Sequence, residues 1–195
     1  MANFQPRRII GNWKDGYALD LHTLSSVPIG SDEFGHMQFD TTRSDIGELL
    51  YRFKYRSDST AVDEITDAVE ALVKAWKPRI DILIPVPPSS SRAVQPVLVL
   101  ADAIGERLHV AVMNCVTRVR EVPQLKNVYD LDERAKLLDG LHTVDASQVR
   151  GKSILLFDDL FRSGATMNAI SSILYEKGKA SDVYALTITR TRSNQ

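Results

Sequence analysis

A single cysteine, Cys115, cannot form an internal disulfide or a zinc knuckle, which excludes a disulfide scaffold and points to a reducing compartment. It lies in an apolar run and reads as a small buried hydrophobe rather than a nucleophile. Neither sign of charge prevails: 24 Lys+Arg stand against 25 Asp+Glu, a formal net of -1. The chain therefore has no global field for gripping nucleic acid or an acidic membrane, and any anionic ligand must be met locally. Long hydrophobic runs are missing too. Stretches such as Val97 to Ala101 fall far short of the roughly 20 apolar residues of a membrane span. The basic start is not followed by an apolar segment, because Ile9 and Ile10 run into Gly11, Asn12 and Trp13. No secretory signal is expected, and the protein is expected in the cytoplasm. His22, His36, His109 and His142 have no metal-ligand spacing and read as structural or surface residues. Arg190 and Arg192 are too few for a nucleic-acid footprint.

What is present is ordinary globular composition, 195 residues with 44% hydrophobic, enough to bury a core without covalent staples. No repeat, low-complexity block or linker breaks it. One domain, 1–195, is expected, with residues 1–45 as an N-terminal extension and 46–195 as the core.

The N-terminal stretch reads as a β-hairpin. Arg7 to Trp13 and Tyr17 to Ser25 are its strands, joined by Lys14-Asp15-Gly16. Residues 28–40 are polar and glycine-bearing, hence loop, and Asp45 to Tyr55 has helical spacing. From there strands and helices alternate. Val62 to Trp76 is a helix stopping before Pro78, Ile80 to Val86 a buried strand, Val94 to Ile104 a helix, and Val110 to Val116 a strand. Arg118 to Asp130 has no period, and Asp130 with Glu133 looks like a capping box opening a short helix through Leu138. Ser153 to Phe157 is an apolar strand, Gly164 to Glu176 a helix closed by Gly178, and Asp182 to Thr189 the last strand. The alternation predicts an α/β fold, a parallel sheet flanked by helices on both faces.

The informative segment runs Ile154 to Thr166. An apolar strand ends in Asp158 and Asp159, and Arg162-Ser163-Gly164-Ala165-Thr166 then opens a helix. Ligands of open α/β sheets bind outside the carboxyl ends of strands, where these groups fall. Backbone N–H groups and the helix dipole at Gly164 to Thr166 suit a phosphate, with Ser163 and Thr166 adding hydroxyl donors. Two carboxylates beside an anion site make sense when they accept from hydroxyls, so a phosphorylated sugar satisfies both halves.

Ala146 to Ser153 comes within one residue of a Walker A loop, with an acidic strand end after it. The context is wrong. A P-loop follows a strand and opens a helix, whereas Gly151-Lys152-Ser153 precedes a strand, and Ala146 lacks glycine's freedom.

The Asp-Asp strand end with its Ser-Gly-Ala-Thr turn resembles the ribose-phosphate motif of type I phosphoribosyltransferases. The resemblance extends over roughly residues 49–192. Tyr51-Arg52-Phe53-Lys54-Tyr55-Arg56, Ile84-Pro85-Val86-Pro87, Gln124, Glu133-Arg134 and Gly151-Lys152 are arranged as in the ComF-like, amidophosphoribosyltransferase-related branch. It implies the type I phosphoribosyltransferase fold with the N-terminal β-hairpin as a hood. It also implies Asp158 and Asp159 on the ribose hydroxyls of phosphoribosyl pyrophosphate, residues 162–166 on its 5′-phosphate, and Mg²⁺ carried by the pyrophosphate, with no protein ligand for the metal directly assigned.

On the same resemblance, Pro87-Pro88-Ser89-Ser90-Ser91-Arg92 maps to the pyrophosphate loop. The hydroxyls and amides of Ser89, Ser90 and Ser91 with the guanidinium of Arg92 are sensible diphosphate ligands. The aperiodic Arg118 to Asp130 maps to the mobile lid, offering Arg118, Arg120 and Lys126. Residues 7–40, with Trp13, Tyr17, Phe34, His36 and Phe39, occupy the place of the variable hood. Hydrophobic packing is the more frequent use of such aromatics, base stacking the other.

The chain departs from the branch in three ways. Arg162-Ser163 stands where Thr-Thr is usual, Ala93-Val94-Gln95 replaces Arg-Gly-Phe-Asn, and neither a Cys-rich finger nor a glutaminase nucleophile is present. The expected activity is transfer of ribosyl phosphate to a nitrogen acceptor, a nucleobase or amine, with release of pyrophosphate. The alternative is a non-catalytic sensor of phosphoribosyl pyrophosphate or nucleotide. No nucleic-acid or membrane partner is expected, and a homodimer is left open.

Overall fold

The computed structural model describes residues 2–89, 95–122 and 136–192. Its central six-stranded sheet runs β1-β2-β10-β9-β5-β6, built from β1 (Arg7–Arg8), β2 (Asp15–Leu21), β5 (Ile82–Pro85), β6 (Ala111–Val112), β9 (Ser153–Phe161) and β10 (Asp182–Arg190). All neighbours are parallel except the edge strand β1 against β2. Parallel strands buried on both faces read as continuous apolar runs. In β9, Leu155 and Phe157 face one core layer while Ile154 and Leu156 face the other.

Three helices cover the first face: α1 (Asp45–Arg56), α2 (Thr60–Trp76) and α3 (Pro96–Leu108), through Ile46, Leu50, Ile65, Val69, Leu100 and Ile104. The second face is covered by α5 (Ala165–Glu176), through Met167, Ile170 and Leu174, with Val149 from the short α4 (Ala146–Val149). Helix α1 starts at Ser44, whose Oγ accepts from the Gly47 amide at 2.9 Å. Gly47 lets α1 lie against the end of β2, since a Cβ there would sit 2.2 Å from the His22 carbonyl oxygen. Burial of Cys115 pushes its thiol up, consistent with an unreactive core residue. No helix among the described residues is long and apolar enough to cross a membrane.

The structure corrects several sequence expectations. The expected hairpin is present but short, Arg7 opposite Ala18 and Arg8 opposite Tyr17, and its second strand lies inside the main sheet as β2, paired on its other edge with β10. Within β2, Ala18, Leu19 and Asp20 are all buried, with Asp20 accepting from the Gln5 amide. A second, exposed hairpin follows, from β3 (Thr23–Ser31) and β4 (Met37–Arg43), so residues 28–40 are largely strand rather than loop. This ribbon is solvated along most of both faces and broken by a bulge between Pro28 and Gly30, so it has no one-sided apolar period to detect. Its turn is closed by the Asp32 carboxylate, which accepts from the amides of Phe34 and His36.

The strand expected from Val110 to Val116 is split. Beyond β6 the chain leaves the sheet, and β7 (Val116–Arg118) pairs antiparallel with β8 (His142–Val144). β9 continues through Asp158 and Asp159 to Phe161 instead of ending at Phe157. Gly151-Lys152 turns into β9 as expected, so the Walker-like string is a strand entrance. The Asp130 and Glu133 capping box lies outside the described residues.

Candidate functional site at the carboxyl end of the sheet

The site is built where two crossovers diverge. β5 feeds α3 on one face and β6 on one side, while β9 feeds α5 on the opposite face and β10 on the other side. That divergence is a topological switch point, and it leaves a crevice between β5 and β9 at their carboxyl ends. β5 pairs with β9 only as far as Pro85 opposite Phe157, with the Val86 amide donating to the Phe157 carbonyl at 2.8 Å. Beyond it, among the described residues, β9 is paired on the β10 side alone, Asp158 opposite Thr187 and Leu160 opposite Thr189. The two acids therefore sit in a strand segment with one edge open.

Their environments differ. Asp158 Oδ1 accepts from the amide of Asp159 at 2.8 Å. Burial, and next the charge of Asp159, push the Asp158 carboxyl up to about 8. Asp159 Oδ2 accepts from Lys54 Nζ at 2.8 Å, a pair with side chains only 17% and 15% exposed. Lys54 comes from the last turn of α1, and sequence reasoning missed it as a site residue. The only sign of it was its place in the Tyr51 to Arg56 string; nothing local says that this turn reaches β9.

After Phe161 the chain turns through exposed Arg162 and Ser163 to Gly164, which caps α5 with φ +74°. A Cβ at Gly164 would lie 2.8 Å from the Phe161 ring, so both the dihedral and the space require glycine. Ser163 Oγ accepts from the Ala165 amide at 3.5 Å, and half-buried Thr166 lies in the first turn. First-turn amides have no intrahelical acceptor, and an anion is their natural partner. The expected sugar and phosphate residues 158, 159 and 162–166 thus follow one another around one strand end.

His22, at the end of β2, is a second residue that sequence reasoning set aside. Its amide donates to the Arg190 carbonyl and its Nδ1 is 3.2 Å from Thr189 Oγ1. Burial first, then the positive charges of Arg43, Lys54 and Arg162, hold its imidazole below the ordinary value, so it is neutral at pH 7.

No family model matches the chain. Over 150 residues it is 28% identical to competence protein ComFC of Bacillus subtilis (strain 168), covering 74% of this chain and 59% of that protein. The chain thus spans about 59% of that relative's length. Among solved structures, the allosteric regulatory enzyme of purine biosynthesis superposes with a TM-score of 0.50 at 14% identity, covering 88% of this chain and 44% of that one. The chain has the type I phosphoribosyltransferase fold. Adenine phosphoribosyltransferase from Saccharomyces cerevisiae, in a complex that includes adenine, aligns with a TM-score of 0.47 at 11% identity over 84% of both chains.

The remaining expected site residues are less uniformly placed. Ser89 is exposed just beyond β5, and its carbonyl accepts from Arg118 Nη1 at 3.1 Å. Arg118 therefore ties the start of the expected lid to the start of the expected pyrophosphate loop. Arg120 points elsewhere: its Nη2 donates to the carbonyls of Leu137 at 3.3 Å and Asp139 at 2.7 Å. Ser90, Ser91, Arg92 and Lys126 lie outside the described residues, as do Gln124, Glu133 and Arg134.

A cavity of about 460 Å³ opens between these two segments, lined by Pro85, Pro87, Ser89, Asn114, Thr117 and Arg118 among others; Asp158 and Asp159 are not part of its wall. Trp13, one of the expected hood aromatics, is buried edge-on against Phe161, its Nε1 donating to the Ile9 carbonyl, so it cannot stack a base. Tyr17 packs edge-on against Trp76. Phe34, His36 and Phe39 are exposed on the β3–β4 hairpin.

Proposed function

We propose that this chain is a phosphoribosyltransferase that binds phosphoribosyl pyrophosphate with Mg²⁺ and transfers ribosyl phosphate to a nitrogen acceptor, releasing pyrophosphate. One observation carries the reading: two acids at the open end of β9 run directly into a glycine-capped helix start at the sheet's switch point. A ligand that needs hydroxyl acceptors and an anion cradle within one sugar's length is a phosphorylated pentose.

In this reading the amides and hydroxyls of residues 163–166 hold the 5′-phosphate, and Asp158 and Asp159 accept from the ribose diol. The pyrophosphate lies toward Ser89 to Arg92, across the β5–β9 crevice. Bond breaking at the anomeric carbon builds positive charge on the sugar, so rigid placement of the diol and phosphate does most of the work this chain can do. Among the described residues no three His, Cys, Asp or Glu side chains gather as a metal cage. Asp159 is already paired with Lys54, and Asp158 takes a proton near neutral pH. These residues fit an Mg²⁺ ligated mainly by diphosphate oxygens, the usual preference of that ion. Bound there, it would neutralise the departing pyrophosphate. A cytoplasmic setting belongs to this reading, since an unpaired buried thiol suits a reducing compartment.

The test is pyrophosphate release from Mg²⁺-phosphoribosyl pyrophosphate, screened across nucleobases and ammonia. Acceptor-dependent release is expected. Binding of phosphoribosyl pyrophosphate without release for any acceptor would favour a non-catalytic sensor, and absence of binding would overturn the reading.

A further inference from the structure

Lys54 and Asp159 are separated by 105 positions and meet at 2.8 Å with both side chains largely buried. Burying two charges costs free energy even when they pair, so such a contact at the mouth of a crevice is a poor choice for stability alone. Its geometry has a consequence for a ligand. Asp159 commits Oδ2 to Lys54, and Asp158 commits Oδ1 to the Asp159 amide. Among the described residues the second oxygen of each acid has no hydrogen-bond partner, and neither do the remaining N–H groups of the Lys54 ammonium. Two uncommitted carboxyl oxygens and an ammonium with donors to spare match two adjacent hydroxyls, each of which donates once and accepts as well.

We propose that Lys54 is a positioning residue for a vicinal ribose diol. Its ammonium holds Asp159 as an oriented acceptor anion and offers its free N–H groups to the hydroxyl oxygens. The assignment rests on the pentose-phosphate reading above and names what makes that site select ribose over a deoxy sugar. Without Lys54, Asp159 would be a half-buried carboxylate beside a second acid, and the pair would share a proton in place of presenting a fixed anion. Beside the pair lies His22 at the end of β2, which itself feels the charges of Arg43 at the end of β4 and Arg162 after β9. His22 is held neutral and the two arginines are permanently charged, so none of them exchanges a proton with the pair near pH 7.

The experiment is calorimetric titration of ribose 5-phosphate and of 2-deoxyribose 5-phosphate into the full chain, the Lys54→Met variant and the Lys54→Arg variant. In the wild type, ribose 5-phosphate is expected to bind about tenfold or more tightly than the deoxy sugar, as loss of a hydrogen bond to a charged group implies. Lys54→Met should collapse that ratio toward one, and Lys54→Arg should restore most of it. A ratio unchanged in Lys54→Met, or tighter ribose 5-phosphate binding in that variant, would overturn the proposal, the second result marking Lys54 as a blocking latch. Should the wild type bind both sugars equally, the diol role fails while the phosphate site stands; should it bind neither, the pentose-phosphate reading itself fails. Should Lys54→Met not fold, the Lys54→Met/Asp159→Asn double variant removes the unpaired charge, and its ratio is also expected near one. A retained ratio in the double variant would contradict the proposal equally.

Discussion

Asp158 and Asp159 are neighbours in sequence but are held by different partners: Asp159 by the Lys54 ammonium at 2.8 Å, Asp158 by the backbone amide of Asp159 at 2.8 Å. The pair is therefore unequal before any ligand arrives, one carboxyl fixed against a cation and the other pushed up to about 8 by burial and its neighbour's charge.

A first prediction concerns stability against pH. In the unfolded chain Asp158 ionises near its ordinary 3.8, while in the folded chain it holds its proton to about 8. Between those values the folded state binds more protons, so this group's contribution to stability falls as pH rises through that window and levels off above it. Asp158→Asn keeps the shape and an acceptor for the Asp159 amide. Denaturant titrations between pH 6.5 and 8 should show wild-type stability declining more steeply than that of the variant; parallel curves would place an ordinary carboxyl there.

His142 should act in the opposite sense. It is buried on β8 with Nδ1 lacking a partner among the described residues, and burial, helped by the charge of Arg118, lowers its pKa to about 4. Its unfolded value is 6.5, so between pH 6.5 and 4 the unfolded chain takes up the proton and stability is lost as pH falls. His142→Phe should remove that acid-side loss. Melting curves of both proteins at pH 6.5, 5.5 and 4.5 give the comparison, and an unaltered slope in the variant would refute it.

The phosphate turn can be tested by side chains alone. Ser163→Ala with Thr166→Ala removes two hydroxyls beside the first-turn amides of α5. Each lost bond to a charged group is worth about 1.5 to 3 kcal/mol. Ribose 5-phosphate and phosphoribosyl pyrophosphate should weaken alike in calorimetry, and undiminished binding would remove this turn from the site.

Gly47 links the fold to the site. Gly47→Ala would place a methyl 2.2 Å from the His22 carbonyl oxygen, so α1 must shift away from β2 and carry Lys54 with it. Overpacking of this kind costs about 1 to 3 kcal/mol. Urea unfolding should register that loss, and the preference for ribose 5-phosphate over its 2-deoxy form should narrow. A variant as stable and as selective as the wild type would show that the approach of α1 is slack.

The alternation of strands and helices and the acids ending an apolar strand were legible because each depends on a local period. Ile154 to Phe157 could hardly be anything but a buried strand, and Gly164 before a helical run is a turn signal. What escaped depended on contacts distant in sequence. Lys54 looks like any basic residue in a helix's last turn until α1 is docked on the sheet. Asp20 looks solvent-facing until the N-terminal segment reaches it, the Gln5 amide donating to its carboxylate. The β3–β4 hairpin escaped for the opposite reason. Exposed on both faces at Val27, Ile29 and Phe39, it buries too little to imprint alternation on its sequence.

The central claim is that the β9 acids and the α5 turn form a site for phosphoribosyl pyrophosphate, and the most direct measurement is its titration, with Mg²⁺, into the wild type and the Asp158→Asn/Asp159→Asn variant. Saturable binding by the wild type is expected, weakened about tenfold or more in a variant that still unfolds cooperatively, since loss of the charged hydrogen bond to Asp159 alone is worth roughly 1.5 to 3 kcal/mol. Equal affinity in the two proteins, or no binding by the wild type, would contradict the account.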